Sequence, residues 1–262
     1  MPLPPSTIEI LRRLLVHSDG RDKTLKIIQY FGKIILWLQA SKTSKSKYAR
    51  LINPITFLLI RDKAFLSKAT PRLKAMTSQF STTRKIIRLA HFIEPCSDLR
   101  EYCSGARRIS RSSTSYEKFV HNLGAINAFL SILNDLFDDL YCLGKIDIID
   151  KSIAKWAEPK AIKLWFFCIC LDIHETFFKI YQIKKKIKKA NSEELEKYQQ
   201  KLYWLNISLT KLIMDFLFCG YDFFGFTFSD GVQAFSGFFA GILSFYKLWD
   251  KETQKLIILN RQ

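Results

Sequence analysis

The chain has 262 residues and a mass of 30.6 kDa, and 48% of its residues are apolar, enough to bury a core in one large domain or two small ones. Lys and Arg (41) exceed Asp and Glu (24) to leave a net charge of +17, which points to an anionic partner, either nucleic acid or a membrane headgroup layer. Phe (22) outnumbers Tyr (10) and Trp (5), which favours lipid over a nucleic-acid groove; ten Gly and seven Pro disfavour barrels, sandwiches and low-complexity disorder, and a mean hydropathy of zero is too low for a multi-span transporter.

The expected fold is all-α: a membrane-associated bundle of amphipathic and apolar helices with at least one C-terminal membrane-embedded helix. Ser6 and Glu9 form a capping-box pair for a first helix that runs to about His17, before a break at Asp19 and Gly20. Over 21–40, Leu25, Ile28, Phe31, Ile35 and Leu38 recur every three or four residues while Lys23, Lys26 and Lys33 keep to other faces, which predicts an amphipathic helix. The polar stretch 41–47 breaks it, Pro54 and Pro71 punctuate the residues after it, and Thr70 is a fitting N-cap for a helix with proline in its first turn.

That helix, predicted over 71–93, carries a cationic stripe opposite a wide apolar face. Lys74, Arg84, Lys85 and Arg88 share one arc with Thr77, Ser78 and Ser81, and no acid joins them; Leu73, Met76, Phe80 and Ile87 lie opposite. An interfacial helix needs this division, because acyl chains take the apolar side while anionic headgroups attract the cations at about 1 kcal/mol each. The same pattern also suits a helix packed on its own protein with a basic outer face, and periodicity alone leaves both readings open.

Pro95 is expected to end that helix, closing an N-terminal amphipathic region over 1–95, with a basic Ser/Arg-rich loop over 96–116. A central helical region over 117–189 comes next. Its first long helix, from about Tyr116 to Leu143, is apolar on two faces yet holds Asn122, Asn127, Asn134, Asp135, Asp138 and Asp139. The second begins near Pro159, carries LWFFCICL (164–171), too short to cross a bilayer, and ends in KKKIKK (184–189). That run reads as a solvated cytosolic flank rather than a nucleic-acid patch. The C-terminal region, 190–262, opens with a charged connector at 190–201. Apolar density then rises from Tyr203 to Phe228, interrupted by Lys211, Asp215 and Asp222. The best membrane-embedded segment is 231–249, where Ala234, Gly237, Gly241 and Ser244 form a small-residue strip suited to close helix packing in lipid; a buried helix that needs glycine for close packing fits the same strip.

Several features that resemble chemistry are read as structural. Asp135, Asp138 and Asp139 resemble the acidic clusters by which helical isoprenoid synthases hold magnesium and diphosphate, but the second acidic set such enzymes require has only Asp172, Glu193, Glu194 and Glu196 to draw on. Cys168 and Cys170 point to different sides of a helix, which disfavours a metal site with His174, and the six cysteines read as reduced. No catalytic residue, metal or cofactor is expected. No secretory cleavage site accompanies Arg12 and Arg13, and the LNRQ end matches no receptor-read address.

Four segments carry a family resemblance. GRDKTLKIIQYFGKIILWL (20–38) resembles the N-terminal signature of the peroxin-11 family through its Gly/Arg/Asp-Lys start and the pair Gln29 and Tyr30. STTRKIIRLAHFIEP (81–95) resembles a second signature through Arg84, Lys85, Arg88, Leu89, Phe92, Glu94 and Pro95. DDLYCLGKIDII (138–149) is similar at Asp138, Leu143 and Lys145 but has Cys142 where the family has Trp and Asp147 where it has Gly, and AGILSFYKLWDK (240–251) resembles the closing helix. The resemblance implies a non-enzymatic protein of the peroxisomal membrane, termini cytosolic, that elongates the organelle before division. It also implies insertion of the 71–93 helix into the cytosolic leaflet, self-association, and work with a fission adaptor and a dynamin-related GTPase. A pore lined by Asp215 and Asp222, and a soluble diphosphate-binding enzyme, are the alternatives.

Overall fold

The computed structural model describes residues 6–43, 63–104 and 113–259, with side chains described throughout except at 41–43 and 63–69. Among the described residues there are eight helices and no strand: α1 Thr7–Val16, α2 Ser18–Thr43, α3 Lys63–Ile87, α4 Ile93–Cys103, α5 Ser115–Lys145, α6 Lys151–Ile187, α7 Ser192–Phe223 and α8 Asp230–Leu259. They form two compact units, residues 1–87 with 226–262, and residues 88–225.

In the first unit α2 lies between α3 and α8, and α1 rests on α8. The Ser6 hydroxyl caps α1 by accepting from the Glu9 N–H at 3.2 Å, while the Glu9 carboxylate turns to Arg12 and Arg13 and leaves the capping box half formed. The expected break at Asp19 and Gly20 is a single extended residue, His17, after which α2 runs on from Ser18. Ile10 and Leu14 bury against Leu256, with Phe245, Leu248 and Trp249 around them. One α2 stripe, Ile34 and Leu38, closes on Ala234 beside Trp37, Phe235 and Phe238, and each such fully buried side chain contributes about 1.5–3 kcal/mol. On its α3 side α2 offers Gly32, where an added Cβ would stand 2.7 Å from the Thr77 methyl.

In the second unit α6 is the central helix, with α5 and α7 antiparallel on it and α4 on α5. The α5–α6 register is marked by Ser131 donating to the Cys168 sulfur at 3.6 Å and Gly144 closing on the Ala154 methyl. Against α7, Phe166 and Ile169 bury with Cys219, and Phe166 stacks on Phe223 at 4.2 Å between ring centroids. Thr114 and Glu117 make a complete capping box for α5, and Asp150 caps α6 through the Ser152 N–H.

Several helix bounds differ from the sequence expectation. Pro71 lies inside α3, which starts before it, and the Thr70 hydroxyl donates to the Gln39 side chain instead of capping. The helix stops at Ile87; residues 88–92 turn, with Ala90 at φ 63°, and Pro95 sits in the first turn of α4, where its missing N–H costs nothing. Residues 96–103, expected as loop, are therefore helical; 105–112 lie outside the described residues, as do 44–47 of the polar break and Pro54. Pro159 is interior to α6, and most of the charged connector forms the start of α7.

Gly237 faces the Tyr30 ring, and a Cβ there would lie 2.8 Å from it. Gly237→Leu should destabilise the first unit by about 1–3 kcal/mol, seen as a lower Tm in detergent. At Gly220 an added Cβ would meet only ordinary contact at 3.7 Å, and Gly220→Ala should be neutral or gain up to about 1 kcal/mol.

Candidate membrane-facing helix and its partners

The residues singled out on the 71–88 stretch do not form one surface. Leu73 and Met76 turn toward α2, their ends 3.3 and 3.5 Å from where a Gly32 Cβ would stand, with Thr77 buried between them. Phe80 is half-buried, Lys74 is exposed, and Lys85 and Ile87 are half-buried near the helix end. Arg88 lies beyond α3, in the turn.

Arg84 has the most structured surroundings. Its Nε donates to Asp22 Oδ1 at 2.8 Å and its Nη1 to Gln29 Oε1 at 2.9 Å, and its guanidinium carbon lies 6.0 Å from the centre of the Tyr30 ring. Asp22 and Gln29 are each 1% exposed, and Lys23 Nζ reaches the second Asp22 oxygen at 2.7 Å. A carboxylate so deeply placed persists only if paired and hydrogen-bonded, so Arg84 is a structural partner of α2 before it is a ligand for headgroups.

The acids of α5 hold the turn after α3. Asp139 Oδ2 accepts from the Ala90 N–H at 2.9 Å, fixing a left-handed alanine that would otherwise cost about 1–2 kcal/mol. His91 Nδ1 lies 2.9 Å from Asp135, and its Nε2 lies 3.0 Å from Glu94. The Asp135 contact raises the His91 pKa above its ordinary value against the opposing effect of burial; burial raises that of Asp139 although the Ala90 N–H works the other way. Two acids of the cluster that resembled a magnesium-diphosphate site, Asp135 and Asp139, are thus engaged by a histidine and a backbone N–H. Asp172 accepts from Asn127 at 2.6 Å, burial pushes the Cys168 thiol up to about 11, and His174 Nε2 meets the Tyr116 hydroxyl at 2.9 Å. All six cysteines are free thiols.

The small-residue strip of α8 faces α2. Ala234 sits with Ile34 and Leu38, Gly237 on Tyr30, and Gly241 opposite Ile27, while the Ser244 hydroxyl returns to the Ala240 carbonyl at 2.8 Å. The segment 231–249 therefore packs within its own unit. Among the described residues the helix long and apolar enough to cross a membrane is α7, and only 11% of its most apolar stretch is buried. Inside it Asp215 pairs with Lys211 one turn earlier at 2.6 Å, so its charge is neutralised along the helix.

A model of the family described as peroxisomal biogenesis factor 11 (PEX11) matches residues 8–249. The chain belongs to that family. A curated relative, the peroxisomal membrane protein PEX25 of Saccharomyces cerevisiae, is 24% identical over 200 residues, covering 68% of this chain and 50% of the relative, so the chain spans about half the length of the relative it matches. No solved structure matches. As a PEX11-family chain it belongs to a group of peroxisome biogenesis factors, and the two segments that most resemble the family, 20–38 and 81–95, meet in space: Asp22, Gln29 and Tyr30 from the first surround Arg84 from the second.

Sequence reasoning assigned Arg84 to lipid and missed Asp22 as its partner, a residue whose local pattern is that of any helix-start acid. Arg84→Met should remove the α3 partner of the buried Asp22 and destabilise α3 docking by about 3 kcal/mol, read as faster proteolysis or amide exchange across α3. For His91, a folded pKa above the unfolded value near 6.5 gives stability that is complete below that value and lost as pH rises through the folded one. Asp135→Asn should lower the His91 pKa in an NMR titration and flatten the pH dependence of stability on the alkaline side.

Proposed function

We propose that this chain is a peroxisomal membrane protein that elongates peroxisomes and promotes their division, using α3 as a wedge in the cytosolic leaflet together with self-association. The observation that carries the reading is the family match across 8–249; the name of the yeast relative and the apolar, uncovered α7 support it. A fission adaptor and a dynamin-related GTPase are the partners this activity calls for.

In this reading the mechanism has two states. In the docked state Leu73, Met76 and Thr77 lie on α2, and Arg84 is held by Asp22 and Gln29. In the released state Leu73 and Met76 exchange α2 for acyl chains, joined there by Phe80 and Ile87. Lys74, Arg84, Lys85 and Arg88 then meet phosphates, at about 1 kcal/mol per cation. Acyl chains replace α2 as apolar surroundings, and the balance turns on whether Arg84 prefers the Asp22 carboxylate or a lipid headgroup. Insertion into one leaflet expands it relative to the other, and the bilayer bends. The strip from Ala234 to Ser244 is occupied by α2 in the docked state, so self-association there draws on another surface or on the space that α3 vacates.

Deleting the protein should leave fewer, enlarged peroxisomes, and overproducing it should give elongated ones, both by fluorescence microscopy of living cells. Asp22→Asn weakens the hold on Arg84 and should increase tubulation of anionic liposomes and protease access to α3 at unchanged helix content. If access rises without any gain in tubulation, the wedge is not α3.

A further inference from the structure

We propose that the cleft at the α6–α7 hairpin binds a phosphomonoester group, presented by a lipid headgroup of the membrane that α7 enters. The inference rests on the membrane reading above. The cleft has a volume of about 420 Å³ and is lined by Lys185 and Lys186 from the end of α6, Lys189 from the turn after it and Tyr198 from α7. Among the described residues none of the three lysines makes an ion pair, although Glu117 and Glu194 line the same cleft. The Glu117 carboxylate is engaged elsewhere, accepting from the Thr114 N–H at 2.8 Å and from the Gln182 amide at 3.3 Å.

Lys185 and Lys186 lie in the last turn of α6 and Lys189 in the turn that follows, so three like charges gather at one cleft and a bound anion relieves their repulsion. A phosphomonoester brings a charge of about −1.5 to −2 at neutral pH and three acceptor oxygens, against three ammonium groups and a phenol as donors. Glu194 sharpens the choice. With its carboxylate at the cleft, a singly charged phosphodiester gains little net attraction, whereas a dianion still does.

Depth along α7 identifies a lipid as the carrier. Tyr203 and Trp204, rings edge to face at 5.3 Å, lie five and six residues beyond Tyr198, about 7–9 Å along the helix axis. Paired aromatics of this kind belong at the boundary between hydrocarbon and headgroups. The polar layer outside that boundary is about 5–8 Å thick, so the cleft falls at the level of the phosphates when the apolar stretch of α7 is embedded.

The test is flotation of the full chain with vesicles of phosphatidylcholine containing a phosphatidylinositol monophosphate, against vesicles in which phosphatidylserine supplies the same total charge. Wild type should prefer the phosphomonoester vesicles. The triple change Lys185→Gln, Lys186→Gln and Lys189→Gln should weaken that preference by roughly tenfold or more while binding to phosphatidylserine vesicles persists. Lys151→Gln, Lys155→Gln and Lys163→Gln, the same charge loss elsewhere on α6, should keep it. Equal binding to both vesicles, or an equal loss in the two triple variants, overturns the proposal. A wild-type chain that floats with neither vesicle, yet binds soluble inositol bisphosphate through these lysines by NMR, overturns the lipid source and the membrane reading and leaves an anion site. A chain that floats with both vesicles without discriminating overturns the site and leaves the membrane reading intact.

Discussion

An isolated carboxylate placed beneath a helix bundle costs on the order of several kcal/mol, and Asp22, 1% exposed, is such a group until Arg84 and Lys23 reach it. That need propagates through the first unit. Arg84 can satisfy Asp22 only with α3 antiparallel to α2 in one register, which seats Thr77 at Gly32 and Thr70 at Gln39. Gln29 takes a second N–H of the guanidinium, and the Tyr30 ring, close to Arg84 and Lys33, needs a neighbour without a side chain, which α8 supplies as Gly237. Such a pair adds little net stability over an apolar one, but it tolerates no other pairing, which suits a helix that must dock specifically and also leave.

The elements that read correctly from sequence are those whose signals are local. Ser6 capped α1 as its spacing implied, and the apolar period of 21–40 produced α2. Thr114 with Glu117 carried an equally local signal for the start of α5 that the reading passed over. The 71–93 stretch was harder because a lipid leaflet and a partner helix select the same amphipathic pattern; the wheel separates two faces without saying what covers either. Pro71, Pro95 and Pro159 misled as boundaries because each is accommodated within a helix rather than ending one. Asp135 and Asp139 gave no local sign of their roles: their partners, His91 and Ala90, lie more than forty residues earlier.

The two units solve different problems. The first buries polar groups in a few exact places and keeps its small residues inside. The second exposes large apolar side chains along α5, α6 and α7, and gathers, at the hairpin from which α7 starts, three lysines that make no ion pair among the described residues. Apolar density and basic charge therefore adjoin on the second unit, as a bilayer surface demands, whereas on the first they are interleaved with a neighbouring helix.

The first unit is assembled from two separate stretches of the chain, 1–87 and 226–262, with the sequence of the whole second unit between them. During synthesis α2 leaves the ribosome long before α8 exists to cover Ile34 and Leu38. The early part must wait, half-dressed, in the care of chaperones or of its own α3, while the second unit can fold as soon as α7 is complete. Completion of the first unit is thus deferred until α8 has been synthesised, after the whole of the second unit.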